Sequence, residues 1–240
     1  MKDSNFPVRI NKYLKDKGIA SRRKADDLIL NGEVTINDEA AQIGQKVFLG
    51  DEVAVSDRAL EESQNKIYLL VNKPVGIVSH NPLPGQKEVL DLLPQNMRGK
   101  GLAVLGRLDR ASRGLMLLSN DGTIVDKLLN PRSKHEKEYI VEVDKPLRHF
   151  FLKRMREGIH LSGGITSKQA EVEKINDTTF KIVLTEGKKH QIRRMADAFG
   201  FAVRDLKRIR IATLTLGKLK EGDHKILKGK ELEKFRNALE

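Results

Sequence analysis

The sequence predicts an α+β fold in two domains, and three observations support this. Short apolar runs typical of strands outnumber the segments with helical periodicity, and the two kinds do not alternate strictly, as they would in a doubly wound fold. The polar segment 57–65 has no strand alternation and is typical of a linker. Charge also changes there, since residues 1–62 carry 10 basic and 12 acidic side chains and residues 63–240 carry 35 and 21. We therefore predict one domain at residues 1–60 and a second at residues 61–240.

The first domain is predicted to contain two short helices followed by a small sheet. Ile10, Tyr13 and Leu14 share one helical face, and Gly18 is typical of the residue that follows a helix. Ser21 is typical of the N-cap of a second helix. Further apolar positions at helical spacing extend that helix to Gly32, after which strands and turns are predicted at 34–36, 37–38 and 50–55.

The second domain is predicted to contain more strands than helices. Apolar runs and alternation predict strands at 67–71, 77–79, 102–104, 115–118, 138–143, 170–175, 179–185 and 209–216. Helical spacing predicts helices at 123–130, 147–157, 190–199 and 231–239.

The composition indicates a polyanionic partner and excludes several kinds of site. The net charge of +12 favours nucleic acid as that partner. The chain has no cysteine, so disulfides, thiolate zinc sites and cysteine nucleophiles are excluded. Its six histidines show no metal-ligand spacing, and it lacks a phosphate-binding loop, a Gly-x-Ser-x-Gly elbow and a Gly-x-Gly-x-x-Gly motif. Because these motifs are missing, we expect no metal or organic cofactor. The chain also shows no signal core or apolar membrane span, so we expect a cytoplasmic protein.

The run Gly106–Arg110 holds a single carboxylate, Asp109, between the guanidinium groups of Arg107 and Arg110. Opposite charges at this range favour the ionised carboxylate, which is the form needed in a nucleophile or a base. On these residues alone, a structural ion pair explains the run as well. Because the other common catalytic sets are missing, Asp109 is the leading candidate for a protein nucleophile.

Three other segments carry residues suited to binding RNA. Basic side chains gather where the second helix begins, at Arg22–Lys24, and a helix start of this kind can bind phosphate. Tyr139 begins a strand after a charged loop, where an aromatic ring can stack on an extruded base. Arg193 and Arg194 flank the apolar face of the helix that follows Gly187. The alternatives remain open. They are a solvated basic helix face for Arg22–Lys24 and for the pair Arg193 and Arg194, and an ordinary core aromatic for Tyr139.

Residues 8–55 resemble the S4-like RNA-binding domain. The match keeps the order and spacing of Arg-Ile-Asn-Lys-Tyr-Leu, Gly-Ile-Ala-Ser-Arg-Arg-Lys-Ala-Asp and Ile-Leu-Asn-Gly-Glu-Val-Thr-Ile-Asn, and ends at Gly-Asp-Glu-Val. Domains of that family bind structured RNA through the face with the Ser-Arg-Arg segment. The resemblance therefore implies six RNA contacts: Arg9, Lys12, Ser21, Arg22, Arg23 and Lys24.

Residues 66–217 resemble the pseudouridine synthases of the RsuA/RluB/RluE/RluF group. Five segments carry the resemblance, in order: 71–79, 106–115, 119–122, 137–139 and 186–195. Segments 9–12, 135–146 and 208–211 are most like the RluF branch. The resemblance implies a central, mostly antiparallel sheet and an isomerase that converts uridine in large-subunit (23S) rRNA to pseudouridine without a cofactor.

The resemblance also implies roles for individual residues. Asp109 is implied to be the nucleophile that allows the uracil–ribose bond to break, and Tyr139 to stack on the flipped uracil. Arg193 is implied to pair with Asp109 and keep it ionised, while Arg107 helps to occupy the space that the base leaves. Further RNA-binding residues are implied at Arg110, Lys73, His190, Gln191 and Arg194.

Arg113 departs from the pattern of the group, since relatives often carry an acidic or small polar residue there, and we expect altered RNA contacts near it. The alternatives are a non-catalytic RNA-binding or ribosome-assembly factor, and the same isomerase acting on tRNA. An RNA methyltransferase fits poorly because the glycine-rich donor loop is missing. We expect a monomer that binds structured RNA, either 23S rRNA or a ribosome assembly intermediate, with no membrane partner.

Overall fold

The computed structural model describes residues 6–130, 132–161 and 165–239. These residues form two compact units. The first unit runs to Ile67 and also contains Ser119–Lys127, and the second contains Tyr68–Leu118 and the chain from Leu128 onward.

The first unit has two small antiparallel sheets and short helices around one apolar core. Its helices are α1 (Ile10–Asp16), α2 (Arg22–Leu30) and α3 (Asp57–Gln64). Its strands are β1 (Val8–Arg9), β2 (Val34–Ile36), β3 (Glu39–Ala40), β4 (Lys46–Val47) and β5 (Val53–Val55). Strand β2 lies between β3 and β5, and β1 pairs with β4. The predicted apolar face is confirmed, because Ile10, Leu14 and Leu28 lie in the core between the helices and the strands.

Local signals fix the ends of the two predicted helices. The Ser21 hydroxyl accepts a hydrogen bond from the Lys24 amide, as an N-cap does. Gly18 and Gly32 follow the two helices with φ of +78° and +72°, in the left-handed region that glycine adopts without strain. These predictions needed only neighbouring residues, and the structure confirms them.

The segment 57–65 is not an extended linker, because residues 57–64 form helix α3. Ser56 caps this helix by accepting a hydrogen bond from the Ala59 amide, and Ala59 is the buried residue of the helix. A single small apolar side chain leaves no helical periodicity in the sequence, which is why the pattern indicated a linker. The predicted boundary between residues 60 and 61 falls inside α3.

The second unit is built around a mixed sheet dominated by antiparallel pairs, which confirms the predicted α+β class. The strands are β6 (Tyr68–Lys73), β7 (Ala103–Leu105), β8 (Arg113–Ser119), β9 (Lys137–Val143), β10 (His160–Leu161), β11 (Ile165–Thr166), β12 (Glu171–Lys174), β13 (Thr179–Leu184), β14 (Val203–Ile211), β15 (Leu214–Thr215) and β16 (His224–Ile226). The order along the sheet is β12-β13-β9-β14-β8-β6-β16, with β15 on β14 and β7 on β8. The pair β14–β8 is parallel.

Short helices accompany this sheet. They are α4 (Gln95–Arg98), α6 (His149–Glu157), α7 (Gln191–Asp197) and α8 (Gly229–Asn237), with a 3-10 turn at Val89–Leu92, while α5 (Ile124–Leu129) crosses the boundary between the units. None of the described helices is long and apolar enough to cross a membrane.

Two predicted strands of this unit differ from the structure. Residues 77–79 form no strand, and Val78 makes one isolated bridge with Glu88. The strand predicted at 209–216 begins earlier, as β14, and turns at Ala212, whose φ is +48°. Four charged residues between Val203 and Ile209 interrupt the apolar pattern, so the sequence did not indicate the first part of β14.

Candidate active site

Asp109 lies on a loop between β7 and β8, and backbone hydrogen bonds hold this loop in place. The loop leaves β7 at Gly106, which has a φ of +79°. Within it, the buried Ser79 hydroxyl donates to the Leu108 carbonyl at 2.5 Å and accepts from the Leu108 amide at 2.9 Å. The Asp109 carbonyl accepts from the Ser112 amide at 3.0 Å. Leu108, the residue before Asp109, is therefore held through both its backbone amide and its backbone carbonyl.

Two arginines, one from a strand and one from a helix, bind carbonyl groups of the segment from Gly106 to Leu115. Arg208, on β14, donates from Nη2 to Gly106 O at 2.6 Å and from Nε to Leu115 O at 2.7 Å. Arg193, on α7, donates from Nη2 to Ala111 O at 2.9 Å. Together they hold the beginning, the middle and the end of the segment that carries Asp109.

The pairing of Arg193 with Asp109 that the resemblance implied is absent from this structure. Besides Ala111, Arg193 donates to the Val203 carbonyl at 3.0 Å, and its Nε is buried without a partner. The side chain beside the Asp109 carboxylate is instead His190, whose Nε2 lies 3.3 Å from Oδ1. Both of these side chains remain substantially exposed, at 49% and 40%.

His190 is positioned by a second loop, which runs from Glu186 into α7. It occupies the N-cap position of α7 with φ of +52°, in the left-handed region. The buried Glu186 carboxylate organises this loop by accepting from the Lys168 amide at 2.9 Å, Gln191 Nε2 at 2.6 Å and Lys188 Nζ at 3.0 Å. These hydrogen bonds outweigh burial and lower the pKa of Glu186.

The two loops border a cleft of about 580 Å³ over one face of the sheet. Tyr139 lies in its floor and is 9% exposed, and the neighbouring floor residues are Lys137, Leu184, Leu206 and Arg208. Asp109 and His190 lie on the two loops at its edge, and Arg107 and Arg110 are exposed beside them. The fold thus brings the run that holds Arg107, Asp109 and Arg110 together with Tyr139 and His190, which lie in two other segments of the sequence.

Other predicted RNA-binding residues of this unit have structural partners. Lys73 is fully buried and donates to the carbonyls of Pro74 and Ile77. Gln191 is also buried and bonds with Glu186 and with the Lys188 amide, so its amide group does not face solvent. Arg194 is half-buried on α7, and Arg110 donates from Nε to the Gly76 carbonyl at 3.1 Å.

Burial destabilises the charged form of two lysines near the floor of the cleft. Desolvation lowers the pKa of Lys73 to about 8, although the Asp109 charge opposes this shift. Burial also lowers the pKa of Lys137, and the positive charge of Arg208 adds to the effect.

Sequence reasoning did not select Ser79, Lys137, Glu186 or Arg208 as site residues. Ser79 and Arg208 bind partners that lie far away along the chain; the Ser79–Leu108 contact spans 29 residues and the Arg208–Gly106 contact spans 102. Some signal was available, because all four lie in or beside the segments that carry the family resemblance.

Arg113 makes ion pairs within the protein. Its guanidinium group binds Asp205 through Nη2 at 2.8 Å and Glu221 through Nη1 at 2.5 Å, and it is half-buried. The hydrogen bond with Asp205 raises the pKa of Arg113. Carboxylates of the protein therefore occupy both sides of this guanidinium group, and the altered RNA contacts expected near Arg113 stay a prediction.

The RNA-contact candidates of the first unit lie near the start of its helices. Arg9, Lys12 and Arg22 border a cavity of about 300 Å³ together with Asn11. Arg9, Arg22, Arg23 and Lys24 are exposed. Lys12 and Lys24 also form surface ion pairs, with Asp16 and Glu62 respectively, and Ser21 acts as the helix cap.

The family model described as RNA pseudouridylate synthase matches residues 67–198, and the S4 domain model matches residues 8–53. The chain belongs to the RNA pseudouridylate synthase family. It is 39% identical to the dual-specificity RNA pseudouridine synthase RluF of Escherichia coli K12 over 94% of this chain and 77% of the relative. This agrees with the predicted likeness to the RluF branch.

Other relatives agree with this assignment. The ribosomal large subunit pseudouridine synthase B of Bacillus subtilis is 33% identical over 95% of each chain. A crystal structure titled pseudouridylate synthase superimposes with a TM-score of 0.70 at 26% identity, covering 97% of this chain and 99% of that chain. The protein is an RNA pseudouridine synthase, an isomerase with an N-terminal S4 domain.

Proposed function

We propose that this pseudouridine synthase isomerises a specific uridine of 23S rRNA in the Asp109 cleft, with Asp109 as the nucleophilic carboxylate. The observation that carries the proposal is the placement of Asp109 at the edge of the cleft, on a loop fixed at Leu108 by Ser79. A half-exposed carboxylate on a loop whose backbone is held in place is suited to attack a bound substrate.

The floor of the cleft supports base flipping. Tyr139 is backed by the sheet and lines the cleft, so a uracil turned out of an RNA helix can stack on its ring. The exposed Arg107 and Arg110 lie where they can bind phosphates of the flanking nucleotides and stabilise the opened RNA. We assign Arg193 to positioning the Asp109 loop, since it binds Ala111 O in place of the carboxylate.

Large-subunit rRNA is favoured as substrate by the printed names of relatives, including the ribosomal large subunit enzyme of Bacillus subtilis. The E. coli relative is named as dual-specificity, so tRNA is kept as the alternative substrate. We further propose that residues 1–60 form the RNA-binding domain and residues 61–240 the catalytic domain of a cytoplasmic monomer. Six candidate contacts then belong to the first domain: Arg9, Lys12, Ser21, Arg22, Arg23 and Lys24.

The nucleophile assignment is tested by tritium release from RNA that contains 5-tritiated uridine. The RNA is total RNA from cells that lack this gene, so that its target uridine is unmodified. Asp109→Asn is expected to lower the release rate about 10⁴-fold. Asp223→Asn is the matched control, because Asp223 is exposed in the turn before β16 and outside the cleft. Release by Asp109→Asn at the parental rate would overturn the assignment.

The substrate is identified by mapping pseudouridine in the same RNA before and after treatment with the enzyme. A new pseudouridine in 23S rRNA supports the proposed substrate, and one in tRNA alone supports the alternative. RNA binding without any new pseudouridine would instead favour the non-catalytic RNA-binding or assembly factor.

A further inference from the structure

The floor of the cleft contains positive charge that the proposed function has not used. Arg208 is 2% exposed, and Lys137 is half-buried. Both line the cleft, and the fully buried Lys73 lies close enough to sense the charges of both Asp109 and Arg208. Within the described parts of the chain, none of these three cations lies within 4.0 Å of a carboxylate oxygen.

The sheet register places two of these cations beside Tyr139. Arg208 on β14 is the direct partner of Tyr139 on β9. Lys137 precedes Tyr139 by two residues on β9, so both side chains point to the same face of the sheet. All three line the cleft, as this alternation requires.

Among the residues that the structure describes, only carbonyl groups accept hydrogen bonds from Lys137 and Arg208, and both side chains keep donors for a ligand. Lys137 Nζ donates to the His135 carbonyl at 2.9 Å, which uses one of its three protons. Arg208 uses Nε and Nη2 for the Leu115 and Gly106 carbonyls. A buried cation without an anionic partner is costly, and the lowered pKa values of Lys73 and Lys137 show this cost. An anion in the cleft would remove it.

We propose that Lys137 and Arg208 form an anion subsite that stabilises the negative charge that develops on the uracil carbonyl oxygens during the reaction. This inference rests on the proposed function in that it takes the Asp109 cleft as the catalytic site.

The chemistry of the isomerisation produces such an anion. When Asp109 attacks C1′, an Oδ–C1′ bond forms as the N1–C1′ bond breaks, and the electron pair of the broken bond stays on the base, shared among N1, O2 and O4. The base then turns, and C5 bonds to C1′ as the Oδ–C1′ bond breaks and releases the carboxylate. The C5 proton leaves and N1 ends protonated, so no atom is gained or lost overall. Cations already in place beneath a base stacked on Tyr139 would stabilise this charge without reorganising.

A phosphate oxygen of the RNA has related chemistry and is the other source of negative charge. The location favours the base, because Lys137 and Arg208 lie in the floor beside Tyr139. The exposed rim cations, among them Arg107, Arg110 and Lys189, are better placed for the backbone.

Lys137→Gln and Lys137→Arg test the subsite with RNA labelled with 5-tritiated uridine. Single-turnover tritium release is measured with enzyme in saturating excess, and the affinity for the same RNA is measured separately at several salt concentrations. Lys137→Gln is expected to lower the rate at saturation about 100-fold. The affinity should stay within about twofold, and Lys137→Arg should recover at least about tenfold of the rate because it restores the charge.

Lys207→Gln is the matched control, because Lys207 is the neighbour of Arg208 on β14 and its side chain points to the opposite face. It should leave the rate unchanged. Arg208→Lys is the second test variant, and we expect a smaller loss of rate than in Arg208→Gln. Both Arg208 variants remove contacts with the Asp109 loop. If they fail to fold, the test rests on the Lys137 variants.

A loss of affinity with a weaker salt dependence and an unchanged rate at saturation would overturn the proposal and assign these cations to a phosphate. Unchanged rate and affinity in Lys137→Gln would overturn it as well. Asp109→Asn separates this failure from that of the proposed function. If Asp109→Asn is inactive while Lys137→Gln is as fast as the parent, only the anion subsite is wrong.

Discussion

The two units hold their positive charge in different ways. In the first unit, Arg22, Arg23 and Lys24 are exposed at the start of α2, next to solvent and to surface carboxylates such as Glu62. In the second unit, Arg193 and Arg208 reach under the Asp109 loop and bind backbone carbonyls. The first arrangement leaves the side chains free to adapt to a ligand, and the second fixes both the cations and the loop above them.

This difference separates two uses of an arginine. A surface cation attracts RNA, and its removal should change affinity and salt dependence but not the fold. A cation bound to backbone carbonyls holds a loop in position, so disturbing its surroundings should lower stability and catalysis together.

Gly114→Ala should cause the largest loss, because it separates the strands that hold Arg208. A Cβ at Gly114 would overlap with the Arg208 carbonyl oxygen, and the φ of Gly114 is +107°. We expect a loss of about 3 kcal/mol or more in the free energy of unfolding, measured in urea. Gly222→Ala is the control, since Gly222 has φ of +83° but nothing within 4 Å of the added Cβ. Equal losses in the two variants would show that the approach of β14 to β8 is unimportant.

Ser79→Ala should be the next most damaging change, because it leaves two backbone groups of the buried Leu108 without a partner. The Ser79 hydroxyl bonds with both the amide and the carbonyl of Leu108. The loss should be about 2 kcal/mol, with a fall in the tritium-release rate that exceeds any change in RNA affinity. Ser63→Ala removes an exposed hydrogen bond to Leu60 and should change stability by less than about 0.5 kcal/mol. A stable Ser79→Ala enzyme with the parental rate would contradict this role.

Local signals predicted much of the first unit, and contacts between distant segments decided the rest. The ends of α1 and α2 followed from Gly18, Ser21 and Gly32, because caps depend on residues one to three positions away. Asp109 stood out from its own neighbours as an acid between two arginines. The pairing of Arg193, in contrast, depends on how α7 lies against the loop at Ala111, and no pattern within α7 encodes that distance.

Helices α7 and α3 differ in how much of their burial shows in the apolar pattern of the sequence. Helix α7 was predicted because its apolar residues recur at helical spacing, and Ile192 and Met195 are indeed buried. Helix α3 was missed because Ala59 is its buried residue and its other positions are polar or exposed. A helix held by its N-cap and by ion pairs such as Arg58–Glu33 leaves little trace in the hydrophobic pattern.

Glu186→Gln should have an intermediate effect that depends on pH. At pH 7 the variant should lose about 1–2 kcal/mol, because the carboxylate accepts hydrogen bonds from Lys168 N, Lys188 and Gln191. The pKa of Glu186 lies below its ordinary value of 4.5, so this stability is present above pH 4.5 and is lost as the pH falls through the lower, folded-state pKa. The difference between parent and variant, measured by urea unfolding, should therefore shrink as the solution becomes more acidic. A difference independent of pH would assign the effect to packing.

Arg23→Gln should have the smallest effect on stability, within about 0.5 kcal/mol, because Arg23 is exposed on α2. Its effect should appear in RNA binding, where the loss of one phosphate contact lowers the slope of log affinity against log salt by about 1. Lys46→Gln is the matched control, since Lys46 is an exposed cation on β4 that the family resemblance does not assign to RNA. If Arg23→Gln and Lys46→Gln lowered the slope equally, attraction would depend on the overall charge of the unit and not on the start of α2. If Arg23→Gln lowered the single-turnover rate at saturating enzyme, the contrast between attracting and positioning cations would itself be wrong.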